Sequence, residues 1–204
     1  MSISSRDRRN RAGIALCCAL VLLTAQATAY NATVTVLPAG DAYAGEVNLS
    51  DADTYTFWEP GVLGEKIPLQ TTNVSVSGDC GENCSFSWQD RNTIAFSEGN
   101  VSIRYEAPIR QKNLQLLFEE PSSITINLPG EFDVSNPLLG RVSDGGEIAE
   151  ENGTTIIHYE DTRFAEVRFY DPGQERLLLI FGSIWLTVAV VLLVPYLLMR
   201  RRQG

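Results

Sequence analysis

Apolar and polar residues alternate with a period of two through most of the chain between residues 30 and 170. The clearest runs are Ala32–Leu37, Asp53–Trp58, Asn73–Ser77, Ser85–Trp88 and Thr93–Phe96, then Val101–Tyr105, Leu114–Phe118, Ser123–Leu128, Thr154–Tyr159 and Ala165–Tyr170. Alternation rich in β-branched and aromatic residues predicts strands with one buried face. Turn residues fall between the runs: Pro60-Gly61, Glu98-Gly99-Asn100, Pro121, Pro129-Gly130, Asn136-Pro137, Asp144-Gly145-Gly146 and Asn152-Gly153. About ten short strands spaced this way predict an all-β fold, an antiparallel β-sandwich over residues 30–176.

The two ends of the chain follow other patterns. A basic stretch, Ser5–Arg11, precedes the apolar run Ala12–Thr24 and the small residues Ala27-Thr28-Ala29, which predicts a cleaved signal peptide over residues 1–29. Cys17 and Cys18 lie in that apolar run and would leave with it. From Leu177 to Met199 the chain is apolar apart from Ser183 and Thr187. As a helix this stretch would reach about 34 Å, enough to cross a bilayer. Arg200-Arg201-Arg202 follows directly, and such a cluster marks the cytoplasmic side, leaving residues 200–204 as a stub. The expectation is a type I single-pass protein of the cell membrane with an extracellular N-terminal domain.

Charge and modification patterns sharpen this picture. Residues 30–176 carry 24 acidic and nine basic side chains, a net charge of −15. Such a surface repels nucleic acid and anionic lipid, which excludes both as expected partners. Only Lys66 and Lys112 are lysines, and an acidic, lysine-poor exterior suits a salty surrounding. Asn-x-Ser/Thr occurs at Asn31, Asn48, Asn73, Asn83, Asn100 and Asn152, six of the ten asparagines in this segment. These are expected glycosylation acceptors.

In an oxidising exterior, Cys80 and Cys84 are expected to form a disulfide. Val74–Ser77 and Ser85–Trp88 would pair as a hairpin with Gly81-Glu82-Asn83 as its loop, setting the two cysteines across from each other. Zinc is disfavoured, since two cysteines and the single histidine, His158, make too small a ligand set, and no cofactor is expected. His158 sits in a strand run with no nucleophile elbow in the chain, so no catalytic residue is assigned. Asp51 and Asp53 would share one strand face and could help hold calcium, without a full loop signature around them. Leu138 and Leu139 lie between turn residues. They are expected to plug one end of the core, the alternative being that one of them faces a partner or the membrane surface.

The pattern Leu128-Pro129-Gly130, then Asn136–Gly146, then Val167-Arg168-Phe169-Tyr170 just ahead of the terminal span resembles exported archaeal single-pass membrane proteins of unknown function. The resemblance covers residues 128–202 and implies an archaeal cell-surface protein, with no reaction and no catalytic residues to carry over. The function expected is a non-catalytic surface module that binds or braces another envelope component. The alternative is a membrane-tethered hydrolase using paired carboxylates, such as Asp51/Asp53, Glu119/Glu120 or Glu147/Glu150/Glu151, with calcium.

Overall fold

The computed structural model describes residues 30–202, with side chains as far as Val194; the expected signal peptide lies outside the described residues. Among the described residues, eleven strands precede one helix: β1 (Tyr30–Val36), β2 (Ala42–Thr56), β3 (Trp58–Pro60), β4 (Lys66–Pro68), β5 (Thr72–Gly78), β6 (Phe86–Trp88), β7 (Thr93–Pro108), β8 (Asn113–Pro129), β9 (Arg141–Val142), β10 (Glu147–Glu151), β11 (Thr154–Arg168) and α1 (Pro172–Arg202). Seven of the strands hydrogen-bond along one path, β10-β11-β8-β1-β2-β7-β5, with β3 attached to β8, β4 to β3, β6 to β7 and β9 to β11. Every pair is antiparallel except β1 with β8, which is parallel and departs from the purely antiparallel expectation. Residue alternation says which face a strand buries but nothing about which way its neighbour runs.

Four strands are far longer than expected. β2 and β11 have 15 residues, β7 has 16 and β8 has 17. A straight 16-residue strand would span about 50 Å, too long to keep one face covered in a domain of this size. The strands bend instead. Register shifts interrupt β2–β7 between Leu49 and Thr54, and β11–β8 between Tyr159 and Phe164. Asp51 and Asp161 take left-handed backbone there, with φ of 52° and 50°. Such bulges sharpen twist and bend a strand. The sheet therefore folds over itself into two layers, the sandwich, around one core.

That core runs through both layers. Val34, Ile94, Ile103, Ile124, Ile126, Leu128 and Ile157 are fully buried. Phe57 packs edge-on against Tyr105 at 5.0 Å between ring centres, and Tyr105 meets Tyr43 at 6.0 Å. Because the bends gather at one edge, the strand ends gather at the other. The turn from Pro108 to Asn113 crosses between the layers there, with Ile109 N–H donating to Asp41 O at 2.6 Å. β11 also ends there, and α1 begins at Pro172, five residues before the expected Leu177. The helix is long and apolar enough to cross a membrane. Most of its side chains as far as Val194 are exposed, Leu177 being 67 % and Phe181 60 % exposed.

Candidate functional site

The Cys80–Cys84 disulfide is present, with Cα atoms 5.5 Å apart. Its setting differs from the expected hairpin. β5 and β6 do not pair with each other; β5 pairs with Val101–Glu106 of β7, and β6 pairs with Ile94–Phe96 of the same strand. The two lie along the two halves of bent β7, and the disulfide closes the excursion between them. Cys84 is buried and its N–H donates to Val76 O at 2.8 Å, while Gly78 and Gly81 form a bridge at the loop neck. The positive φ values fall on these glycines, at 150° and 110°, and not on Asn83. Asp79 ties the loop to the β7 bulge by accepting from the Asn100 N–H at 3.0 Å.

All six acceptor asparagines are exposed, whereas the other four of the segment, Asn92, Asn113, Asn127 and Asn136, are buried or half-buried. Asn31 and Asn48 are cross-strand partners on the outer face of the β1–β2 pair. Asn73 and Asn152 sit in left-handed backbone, Asn152 with Gly153 forming the β10–β11 turn. Asn73 Nδ2 donates to Glu106 at 2.9 Å.

Leu138 is 76 % exposed and Leu139 half-buried, which corrects the expectation that both plug the core. That end of the core is already closed by Phe132 and Val134, with Phe132 against Phe169 at 4.8 Å between ring centres. Asn136 turns the following residues outward: its side-chain oxygen accepts from Leu138 N–H at 3.1 Å, and its backbone carbonyl accepts from Leu139 and Gly140. The same loop is clamped to the start of the helix. Asp133 and Tyr170 exchange two backbone hydrogen bonds of 3.0 Å, Asn136 N–H donates to the Tyr170 hydroxyl at 3.1 Å, and Asn136 Nδ2 donates to Glu175 at 3.2 Å. Lys112 pairs with Asp171 and lies over the Phe132 ring at 5.4 Å. Partial burial works to raise the Asp133 carboxyl, but hydrogen bonds from Ser135 and Tyr170 outweigh it and hold it below its usual range.

A second bare apolar tip was missed in the sequence. Val62 and Leu63, at the β3–β4 turn, are 100 % and 93 % exposed. The signal was the one that marked Leu138 and Leu139, an apolar pair flanked by turn residues, here in Gly61-Val62-Leu63-Gly64.

The carboxylates fare unevenly. Alternation is interrupted at Asp51, so a shared face for Asp51 and Asp53 does not follow, and both are exposed. Among the described residues no three His, Cys, Asp or Glu come together in a way that could hold a metal ion. Glu119 and Glu120 do line one concavity at the bend, with Tyr30, Tyr55 and Ser122. Glu119 accepts there from Trp58 Nε1 at 3.3 Å and Lys66 Nζ at 3.4 Å. His158 faces Thr125 across the strands, with Nδ1 3.3 Å from its hydroxyl and Nε2 3.8 Å from Glu160.

With this geometry in hand, comparison with known proteins gives a match over residues 28–203 to a family of unknown function, DUF5803. The chain belongs to that family. No curated protein matches it. The matched residues take in the sandwich and the whole of α1.

Proposed function

We propose that this protein is a surface module of the archaeal cell membrane: an exported, glycosylated β-sandwich, anchored by α1, that holds or braces another envelope component and carries out no reaction of its own. The observation that carries the reading is the joint between sandwich and helix. Strand β11 runs into α1 within four residues, and the Lys112–Asp171 pair, the Asp133–Tyr170 bridge and the Asn136–Glu175 bond clamp the passage. A tethered enzyme gains reach from a flexible linker, whereas a brace needs its domain held at a set angle to its anchor. The segregation of acceptor asparagines to the surface supports export, and Arg200–Arg202 support an inward C-terminus.

Affinity capture of the cross-linked full-length protein from its own membrane tests this, alongside a chain with a Gly/Ser linker inserted between Asp171 and Pro172. A brace should co-purify the same envelope component reproducibly, and lose it or cross-link to it differently once the joint is loosened. Recovery of the chain alone, or capture indifferent to the linker, would overturn the brace. For topology, external protease should remove residues 30–176 and spare a tag placed after Gly204; loss of that tag would reverse the orientation.

The second reading, a hydrolase, is favoured by the shared concavity of Glu119 and Glu120. It predicts glycan or peptide turnover that disappears in Glu120→Gln. The commitment of Glu119 to Lys66 and Trp58 weighs against it.

A further inference from the structure

Two loops present bare apolar side chains at the end of the sandwich from which the helix leaves. Leu138 is placed there directly, because Asn136, two residues earlier, bonds to Glu175 in the first turn of α1. Glu175 and Arg176 are the last charged residues before the apolar run that begins at Leu177. At 1.5 Å per residue, Glu175 stands about 3 Å from the level at which the helix turns apolar.

The β3–β4 tip reaches the same end by another route. β3 runs antiparallel to β8 with Trp58 opposite Leu117, so the chain heads toward Asn113, the end of β8 that pairs with Arg168. Arg110 Nη2 lies 3.5 Å from Glu59, and Val62 shares a concavity with Arg110 and Asn113. Lys112, next to Asn113, is paired with Asp171, the residue before the helix. Val62, Leu63 and Leu138, 100 %, 93 % and 76 % exposed, therefore stand on one rim around the emerging helix.

We propose that this rim is seated in the lipid bilayer, with Val62, Leu63 and Leu138 entering the outer interfacial layer beside α1. The proposal rests on the reading that α1 spans a membrane. Continuity with the apolar surface of the helix selects lipid as the occupant. Large apolar side chains at a turn tip gain nothing from water but lose unfavourable hydration on entering the acyl boundary. Charge does not drive the contact: the domain carries −15, and Glu65, Asp171 and Glu175 lie along this rim, so the seat is apolar and does not require anionic headgroups. Three contacts around a clamped helix fix the tilt of the sandwich. They turn its folded edge, with Asp51, Glu119, Glu120 and Arg163, away from the membrane and toward any envelope partner.

The test places a nitroxide label on single-cysteine versions of the full-length protein in phosphatidylcholine vesicles, with Cys17→Ala and Cys18→Ala removing the other free thiols. Labels go at Leu63→Cys, Leu138→Cys, Arg163→Cys at the folded edge and Trp185→Cys within α1. All four side chains are exposed, so no label displaces the core. Accessibility to oxygen, which concentrates in lipid, is compared with that to a water-soluble nickel complex. The expected result is that labels 63 and 138 shift toward the lipid side, shallower than label 185, while label 163 stays aqueous. Aqueous 63 and 138 beside an embedded 185 would overturn the seat and leave the anchor standing. Labels 63 and 138 shielded from both reagents would mean a protein contact, such as a second copy, and would overturn it too. An aqueous label at 185 would overturn the membrane span itself.

Discussion

Gly45 faces Tyr105 across the β2–β7 pair, and a Cβ added there would sit 2.6 Å from the Tyr105 ring carbon Cζ. Tyr105 is held by Phe57 and Tyr43, so the ring has no room to retreat. Gly45→Ala is expected to cost about 1–3 kcal/mol through overpacking, read as a lowered melting midpoint of the detergent-solubilised chain. A melt within about 0.5 kcal/mol of the parent would show that the ring is not pinned. Phe132 and Leu138 make a matched contrast. Phe132→Ala should cost about 3–5 kcal/mol, because it opens the end of the core between Phe169 and Lys112. Leu138→Ala should leave the melt unchanged within about 0.5 kcal/mol, because its side chain touches little of the fold. A comparable loss from both would restore Leu138 as a core plug. At this scale the Asn-x-Ser/Thr motifs are local and readable, but that all six lie on the surface came from the structure. The fate of Leu138 was not readable, because it depends on Phe132 having filled the space first.

The strands were legible as periodicity and misread as units. Glu98-Gly99-Asn100 and Pro121 read as turns between strands, yet they lie within β7 and β8, where the sheet folds from one layer into the other. A bulge and a turn call on the same residue types, so local composition cannot separate them. The first half of β2 was missed for a related reason: Gly45 occupies an inward position and breaks the apolar alternation of Tyr43, Val47 and Leu49. Bent β7 also explains what the disulfide does. β6 has three residues and among the described strands pairs only with β7, so Cys80–Cys84 holds that short edge strand to β5 through a small ring. Replacing both cysteines with serine should cost about 2 kcal/mol by the loop-entropy estimate. Amide exchange should quicken in Phe86–Trp88 and stay unchanged in β1 and β8. A loss shared evenly by β1 and β8 would mean that the staple holds the whole sandwich.

Across the whole molecule the core carries a titration signature. Burial raises the phenols of Tyr43 and Tyr105, the latter to about 12, from an ordinary value of 10.0. The charged form is the one that burial disfavours, so the folded state holds these protons more tightly than the unfolded chain does. Their contribution to stability is complete below pH 10 and is lost as pH rises from there toward about 12. Melting followed against pH should be level through neutral pH and fall steeply above pH 10, with phenolate absorbance from these two rings appearing only as the fold is lost. Their ionisation in a chain that remains folded would contradict the packing around Tyr105. At the acid side, hydrogen bonds from Gln115 and Asn113 hold the Glu166 carboxyl below its usual 4.5, and those from Arg104 and Ser102 do the same for Glu46. Both contributions persist above that value and fade as pH drops through the lowered range.

The sequence by itself determined the all-β character, the disulfide pairing and the apolar helix. Each of these rests on residues within a few positions of one another, where periodicity, spacing and hydropathy act directly. Only the tertiary structure decided that four long strands carry both layers, that β1 lies parallel to β8, and that β5 and β6 share β7. It also decided that the loops holding Val62, Leu63 and Leu138 converge on one rim around the helix. Alternation assigns a side chain to a face without naming the neighbour or its direction, and whether an apolar side chain is buried depends on what else has already filled the space.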